Sequence, residues 1–240
     1  MLYADLYLLK PALIDAEQLI RLQSELSPDE YRHWHEIRQP GRQREYLLGR
    51  ILLRRLLAER LGCPPDTLLF RTSEHGKPTL VSHDWQFNLS HSGDWLVLAL
   101  CQQGPLGVDV EMGLRQRPVL PLAKRFYAPD EYQWLLALPS REQASAFYRL
   151  WSRKEAVLKA QGAGIAAGLD KVRFVPKEGW RLDNRLDTRS YQVLDWRFGS
   201  GWLSLAAPTR QINGYLLDER LKSTPLDPML IHTIFRESAS

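Results

Sequence analysis

Apolar positions along the chain switch between two periods, and the switching lays out a succession of strands and helices. Residues 2–9 form an apolar-rich run that predicts a strand, and Asp15–Leu26 spaces its apolar residues as one helical face. Ser27-Pro28-Asp29-Glu30 supplies an N-cap, a proline at the first helical position and a capping-box acid, which predicts a helix start. From Gln43 to Leu61 apolar residues recur at helical spacing, and Gly62, Pro64 and Pro65 predict the stop. Strand-like runs follow at Leu68–Arg71, Trp85–Leu89, Trp95–Leu100 and Leu106–Glu111, separated by Gly, Ser, Asp and Pro turns. A second long helix is predicted from Ser140, with Gln143 in the capping-box position, to Gln161, with Gly162 ending it. Strands resume at Val172–Val175, Tyr191–Trp196 and Trp202–Ala206, and the stretch from Arg220 onward predicts a tail with one short helix at most.

The two halves echo each other. Ser92-Gly93-Asp94-Trp95-Leu96-Val97-Leu98-Ala99 resembles Ser200-Gly201-Trp202-Leu203-Ser204-Leu205-Ala206, and Tyr46-Leu47-Leu48 has a counterpart in Tyr148-Arg149-Leu150. Both matches run in the order long helix, then strands. This predicts an α+β chain of two similar halves related by pseudo-two-fold symmetry, with a boundary near Gly104: residues 1–104, residues 105–218, and a tail at 219–240. A site in the cleft between the halves is then the default expectation.

Composition narrows the class. The chain has 240 residues, 44% of them hydrophobic and 25% charged, which excludes a disordered or collagen-like chain. Its longest unbroken apolar run, Trp95–Cys101, is too short to cross a bilayer, and Met1-Leu2-Tyr3-Ala4-Asp5 lacks the basic start of a secretory signal. Cys63 and Cys101 are the only cysteines, so no disulfide framework is implied. These features predict a cytoplasmic protein with no membrane association. The net charge of +4 suits anionic partners, or serves solubility alone. Arg38, Arg42, Arg44, Arg50, Arg54, Arg55 and Arg60 crowd one segment whose single aromatic, Tyr46, falls short of the interleaved stacking platform a single strand needs.

Three constellations carry candidate chemistry. In Gly107-Val108-Asp109-Val110-Glu111 the strand period turns Asp109 and Glu111 to one side and both valines into the core. Such a carboxylate pair suits a divalent cation or a solvated outer face. In Trp151-Ser152-Arg153-Lys154-Glu155-Ala156-Val157-Leu158-Lys159, Glu155 and Lys159 share a helical face as a surface ion pair, or as a metal ligand with lysines for phosphate. Third, Gly76-Lys77-Pro78 and Asn88-Leu89-Ser90-His91-Ser92 place a lysine in a rigid turn and donors at the end of a strand.

Together, the order and spacing of these motifs resemble the 4′-phosphopantetheinyl transferase family, in its larger type with two similar halves acting on peptidyl and acyl carrier proteins. The resemblance runs from about Leu47 to Leu169 and more loosely to about Leu216, and includes Phe126–Glu131. It implies Mg²⁺-dependent transfer of the phosphopantetheine arm of coenzyme A to a carrier serine, with adenosine 3′,5′-bisphosphate leaving. It implies Mg²⁺ on Asp109, Glu111 and Glu155, pyrophosphate contacts from Lys154 and Lys159, phosphate contacts from Ser90 and His91, and Lys77 at the adenine end. Glu131, in Pro129-Asp130-Glu131-Tyr132, matches an acid proposed as general base in some members, with Glu155 as its rival. Where some members carry lysines after the Ser-Pro helix start, this chain has Glu30 and His33; Arg42, Arg44 and Arg71 are the substitutes for the 3′-phosphate, and Arg42 is preferred.

Carrier proteins are typically acidic, so Leu114–Tyr127, with Arg115, Arg117, Lys124 and Arg125 beside Leu122 and Phe126, is the expected docking segment. With both cleft walls on one chain, a monomer suffices and no nucleic acid is required. The rival readings are a nucleic-acid module using the arginine segment, a Mg²⁺-dependent nuclease or phosphatase, and an inactive relative that binds coenzyme A.

Overall fold

The computed structural model describes residues 2–73, 76–112, 117–164, 168–175 and 180–226. Strand β1 (Ala4–Leu9) is buried along its whole length. Two short helices, α1 (Ala16–Leu22) and α2 (Pro28–Glu36), lead to the long helix α3 (Pro40–Leu61). Asp15 and Ser27 cap the short helices through reciprocal bonds with Gln18 and Glu30. The first helix stops at Leu22, short of the expected Leu26, because residues 23–25 tighten into a 3₁₀ turn. After a small hairpin of β2 (Phe70–Thr72) and β3 (Pro78–Leu80) come β4 (Gln86–Ser92), β5 (Trp95–Cys101) and β6 (Gly107–Glu111).

Helices α4 (Val119–Phe126) and α5 (Pro129–Leu136) precede the second long helix, α6 (Ser140–Gln161). Both long helices end on a glycine in the left-handed region, Gly62 at φ 65° and Gly162 at φ 76°, as expected of C-terminal glycines. Pro139, not Ser140, precedes the helix, and Gln143 donates to the carbonyl of Leu138 instead of closing a capping box. Strands β7 (Val172–Val175) and β8 (Arg181–Asn184) form a second small hairpin. They are followed by β9 (Gln192–Phe198), β10 (Gly201–Ala207), β11 (Ile212–Leu217) and β12 (Ser223–Pro225).

The larger sheet runs β12-β11-β1-β5-β4 and the smaller β6-β10-β9. Each contains a hairpin (β4–β5, β9–β10) whose second strand pairs antiparallel with a further strand, β1 or β6. This arrangement is consistent with a pseudo-two-fold relation. The last two strands depart from the expected layout: β11 lies parallel to β1, with Ala4 opposite Ile212 and Leu8 opposite Leu216. Residues assigned from sequence to the second half and its tail therefore complete the first sheet, because β1 offers a buried edge that β11 satisfies.

Three apolar clusters stack through the molecule. One lies between α3 and the outward face of the larger sheet (Tyr7, Leu48, Leu52, Leu98), and another between the two sheets (Leu6, Leu8, Val108, Val110, Leu203). A third lies under α6 (Phe147, Leu150, Val157, Phe174). The strand period divides β6 as expected, with its valines between the sheets and its acids toward α6. No helix among the described residues is long and apolar enough to cross a membrane.

Candidate active site

The strand β6 and the helix α6 approach so closely that a side chain would not fit between them at Gly107. A Cβ there would lie 2.0 Å from the carbonyl oxygen of Ala156 and 2.4 Å from the amide nitrogen of Ala160. This contact brings Asp109 under Lys159 and Glu155. Asp109 Oδ1 accepts from Lys159 Nζ at 2.7 Å and from Ser90 Oγ at 3.1 Å. Asp109 and Glu155 are only 5% and 7% exposed, yet Asp109 Oδ2 and Glu155 Oε1 have no hydrogen-bond partner among the described residues.

Burial pushes both carboxyls above the usual range. For Glu155, burial and then the nearby Asp109 and Glu111 charges lift the pKa to about 7 against the pull of Lys159. Buried anions with vacant oxygens and mutual repulsion call for a cation, and an all-oxygen donor set suits a hard ion such as Mg²⁺. Among the described residues no group of three His, Cys, Asp or Glu side chains is drawn together as a closed metal cluster.

Next to the acids opens a cavity of about 510 Å³, lined by residues of both halves, among them Arg42, His91, Gly93, Glu111, Arg117 and Tyr148. An adjoining, more apolar groove of about 410 Å³ includes His33, Tyr46, Pro78 and Leu89, and shares Arg42, Glu45 and His91 with the first. Arg42 sits in the first turn of α3, where free backbone amides favour an anion. His91 Nδ1 lies 3.1 Å from Glu45 Oε2. Sequence reasoning missed Glu45 and Tyr148 as cleft residues. Tyr148 was in view only through its echo of Tyr46.

Four expected roles do not survive the geometry. Lys154 is fully buried, and its ammonium donates to Glu131 Oε2 at 2.7 Å and to the carbonyls of Leu169 and Val172 at 2.9 and 2.5 Å. An ammonium has three donors, so none is left for pyrophosphate. Glu131 is likewise buried and accepts, besides Lys154, the amides of Ala128 and Phe174, so it neither meets a substrate nor serves as general base. Burial pulls Lys154 down and pushes Glu131 up, which the direct ion pair counters.

Lys77 Nζ donates to the carbonyls of Leu106, Lys159 and Ala160, tying its turn to the end of α6 instead of pointing at a ligand. Ser90 is 5% exposed and fully engaged within the protein. Arg42 and His91 remain accessible; Lys159 is 27% exposed at its side chain, but its ammonium already donates to Asp109 Oδ1, Ser90 Oγ and the carbonyl of Val108. Leu114 and Arg115 of the expected docking segment lie outside the described residues.

The arginine segment is also largely spent internally. Arg50 and Arg54 hold Glu30, Arg55 holds Glu25, Arg60 holds Asp5, and Arg44 donates to the carbonyls of Pro11 and Ile14. A nucleic-acid groove along α3 loses most of its charge this way.

Comparison with known proteins decides the family. Residues 105–208 match the family model described as the 4′-phosphopantetheinyl transferase superfamily, and residues 15–103 match the one described as 4′-phosphopantetheinyl transferase, N-terminal. The chain belongs to the 4′-phosphopantetheinyl transferase superfamily. Among phosphopantetheinyl transferases, it is 35% identical to Sfp of Bacillus subtilis over 159 residues, 65% of this chain and 69% of that protein. It is 42% identical to psf-1 of Bacillus pumilus over 128 residues, 52% of this chain and 53% of that protein. To slr0495 of Synechocystis sp., which carries the transferase name provisionally, it is 34% identical over 204 residues, 80% of this chain and 82% of that protein.

Proposed function

We propose that this enzyme transfers the 4′-phosphopantetheine arm of coenzyme A to a serine hydroxyl of an apo acyl or peptidyl carrier protein, releasing adenosine 3′,5′-bisphosphate. The observation that carries the reading is the pair of buried carboxylate oxygens without a partner among the described residues, Asp109 Oδ2 and Glu155 Oε1, beside a cleft whose lining includes Glu111, Arg42, His91 and Arg117. Asp109, Glu111 and Glu155 would hold Mg²⁺, which when bound neutralises pyrophosphate charge.

Around that site the chain's own groups bind and orient. Arg42, His91 and the first amides of α3 face the coenzyme A phosphates, and the apolar groove with Tyr46 and Pro78 takes the adenine. Lys159 donates to Asp109, Ser90 and the Val108 carbonyl, and with its side chain 27% exposed it would exchange one of these bonds for the pyrophosphate. With Glu131 sealed in the interior, Glu155 is the remaining candidate for the proton of the carrier serine; a bound cation would hold its carboxylate ionised and weaken it as a base. Arg117, Lys124 and Arg125 lie on the segment that meets an acidic carrier. Both walls of the cleft come from one chain, so a cytoplasmic monomer is sufficient.

The test is the intact mass of an apo carrier protein after incubation with enzyme, coenzyme A and Mg²⁺, with an EDTA control. The reading requires a metal-dependent gain of one phosphopantetheine. No gain on either acyl or peptidyl carriers, despite coenzyme A binding, would leave the inactive-relative reading in its place.

A further inference from the structure

The two sheets meet at β4 and β6 without a backbone ladder. Antiparallel pairing of β6 with β10 uses one edge of the strand and leaves the amides of Val108, Val110 and Met112 on the other. Each of these amides donates to a side chain of β4. Val108 N–H reaches Asn88 Oδ1 at 2.8 Å, Val110 N–H reaches Ser90 Oγ at 3.1 Å, and Met112 N–H reaches Ser92 Oγ at 3.1 Å. Both strands advance by two residues per rung, which is why polar residues recur at alternate positions of Asn88-Leu89-Ser90-His91-Ser92. Phe87 and Leu89, on the opposite face, pack on the α3 side.

Ser90 is the rung that touches the site. A hydroxyl offers one donor and two acceptor positions. Ser90 accepts from Val110 N–H and from Lys159 Nζ at 3.1 Å, and donates to Asp109 Oδ1 at 3.1 Å, so its capacity is full. The carboxylate of Asp109 is thereby pinned through Oδ1, leaving Oδ2 as the oxygen without a partner.

We propose that Asn88, Ser90 and Ser92 are positioning residues: a side-chain ladder that holds β6 in register against the other half, with Ser90 aiming Asp109 Oδ2 at the cation instead of contacting substrate phosphate. The aiming role rests on Asp109 being a metal ligand; the ladder itself does not.

Three readouts on Ser90→Ala, Asn88→Leu and Asn88→Asp separate the possibilities. Amide exchange at Val108 and Val110 reads the ladder without metal, and protection falls at Val110 in Ser90→Ala and at Val108 in Asn88→Leu. Titration of Mn²⁺ followed by its EPR signal reads the aiming, and affinity falls about tenfold or more in Ser90→Ala, in line with other groups that orient metal ligands. Coenzyme A affinity in EDTA is unchanged in Ser90→Ala. Asn88→Asp, which keeps the acceptor, restores protection at Val108 relative to Asn88→Leu.

Unchanged exchange overturns the ladder. Loss of coenzyme A affinity with Mn²⁺ binding intact overturns the aiming and makes Ser90 a phosphate ligand. Wild-type enzyme that binds no Mn²⁺ rejects the metal reading itself and the aiming with it, while the exchange result still decides the ladder.

Discussion

The two halves of this enzyme solve the same structural problem with the same parts. In the first, Glu30 of α2 is buried, accepts the amide of Ser27 and is held by Arg54 of α3, which also donates to the carbonyls of Pro65 and Leu68. In the second, Glu131 of α5 is buried, accepts the amide of Ala128 and is held by Lys154 of α6, which also donates to the carbonyls of Leu169 and Val172. Both acids sit in the sequence Pro-Asp-Glu-Tyr at the start of a short helix. A feature present in both halves belongs to the scaffold. It clamps each short helix and the segment after each long helix onto the long helix itself.

A second correspondence separates scaffold from site. In each half a basic residue in the last turn of the long helix binds an acid on a strand of the adjoining sheet, Arg60 with Asp5 and Lys159 with Asp109. In the first half both oxygens of Asp5 are satisfied, Oδ2 by Arg60 and Oδ1 by Asn213, and the neighbouring Tyr7 hydroxyl accepts from Arg60 as well. In the second half Asp109 keeps one oxygen without a partner, and Glu155 adds another. Under the proposed function the cation site falls in the half whose polar network is left incomplete, since an unsatisfied buried charge attracts a ligand that completes it.

The largest expected effect tests that asymmetry. Glu155→Gln lowers kcat by roughly 10²–10³-fold, the scale on which a positioned acid–base or charge-stabilising group contributes. It also stabilises the metal-free protein. The folded state holds Glu155 near pKa 7, above its ordinary 4.5, so the protonated form is favoured and its contribution is lost as pH rises from 4.5 through 7. Gln at this position escapes that loss: in thermal melts with EDTA its Tm exceeds wild type at pH 8, and the gap closes toward pH 4.5. A gap that widens on acidification refutes the assignment.

Lys154→Met sharpens the scaffold side of the comparison. Stranding Glu131 costs about 3–5 kcal/mol of stability, whereas Lys154→Met with Glu131→Gln, which removes the charge and keeps an acceptor for the amides of Ala128 and Phe174, recovers part of it. If the single variant instead keeps its Tm and loses only turnover, Lys154 acts on substrate after all. Arg42→Ala comes next, raising the KM for coenzyme A about tenfold with kcat retained, the scale of one charge-assisted hydrogen bond to phosphate. The smallest effect belongs to charge reversal at Arg115 and Arg117, which raises the carrier KM several-fold, more at low salt, and spares coenzyme A binding. A carrier KM indifferent to that reversal removes this segment from the docking surface.

Much of this was legible from the chain. The ends of both long helices, the division of β6 into core valines and acids, and the acids that could bind a cation all follow from local periodicity and glycine caps. The scaffold role of Glu131 was legible too, had Ala128-Pro129-Asp130-Glu131-Tyr132 been set beside Ser27-Pro28-Asp29-Glu30-Tyr31. Read separately, a lysine and a glutamate in motifs shared with a transferase family look like chemistry.

Local sequence determined which residues share a helical or strand face, because those periods are properties of the backbone alone. Only tertiary structure decided that β11 closes against β1, that Lys77 and Lys154 spend their charges on backbone carbonyls, and that Ser90 serves a strand of the other sheet. Each of those outcomes depends on which distant group competes for the same donor or acceptor once water has been excluded, and that competition is settled only when the halves are packed together.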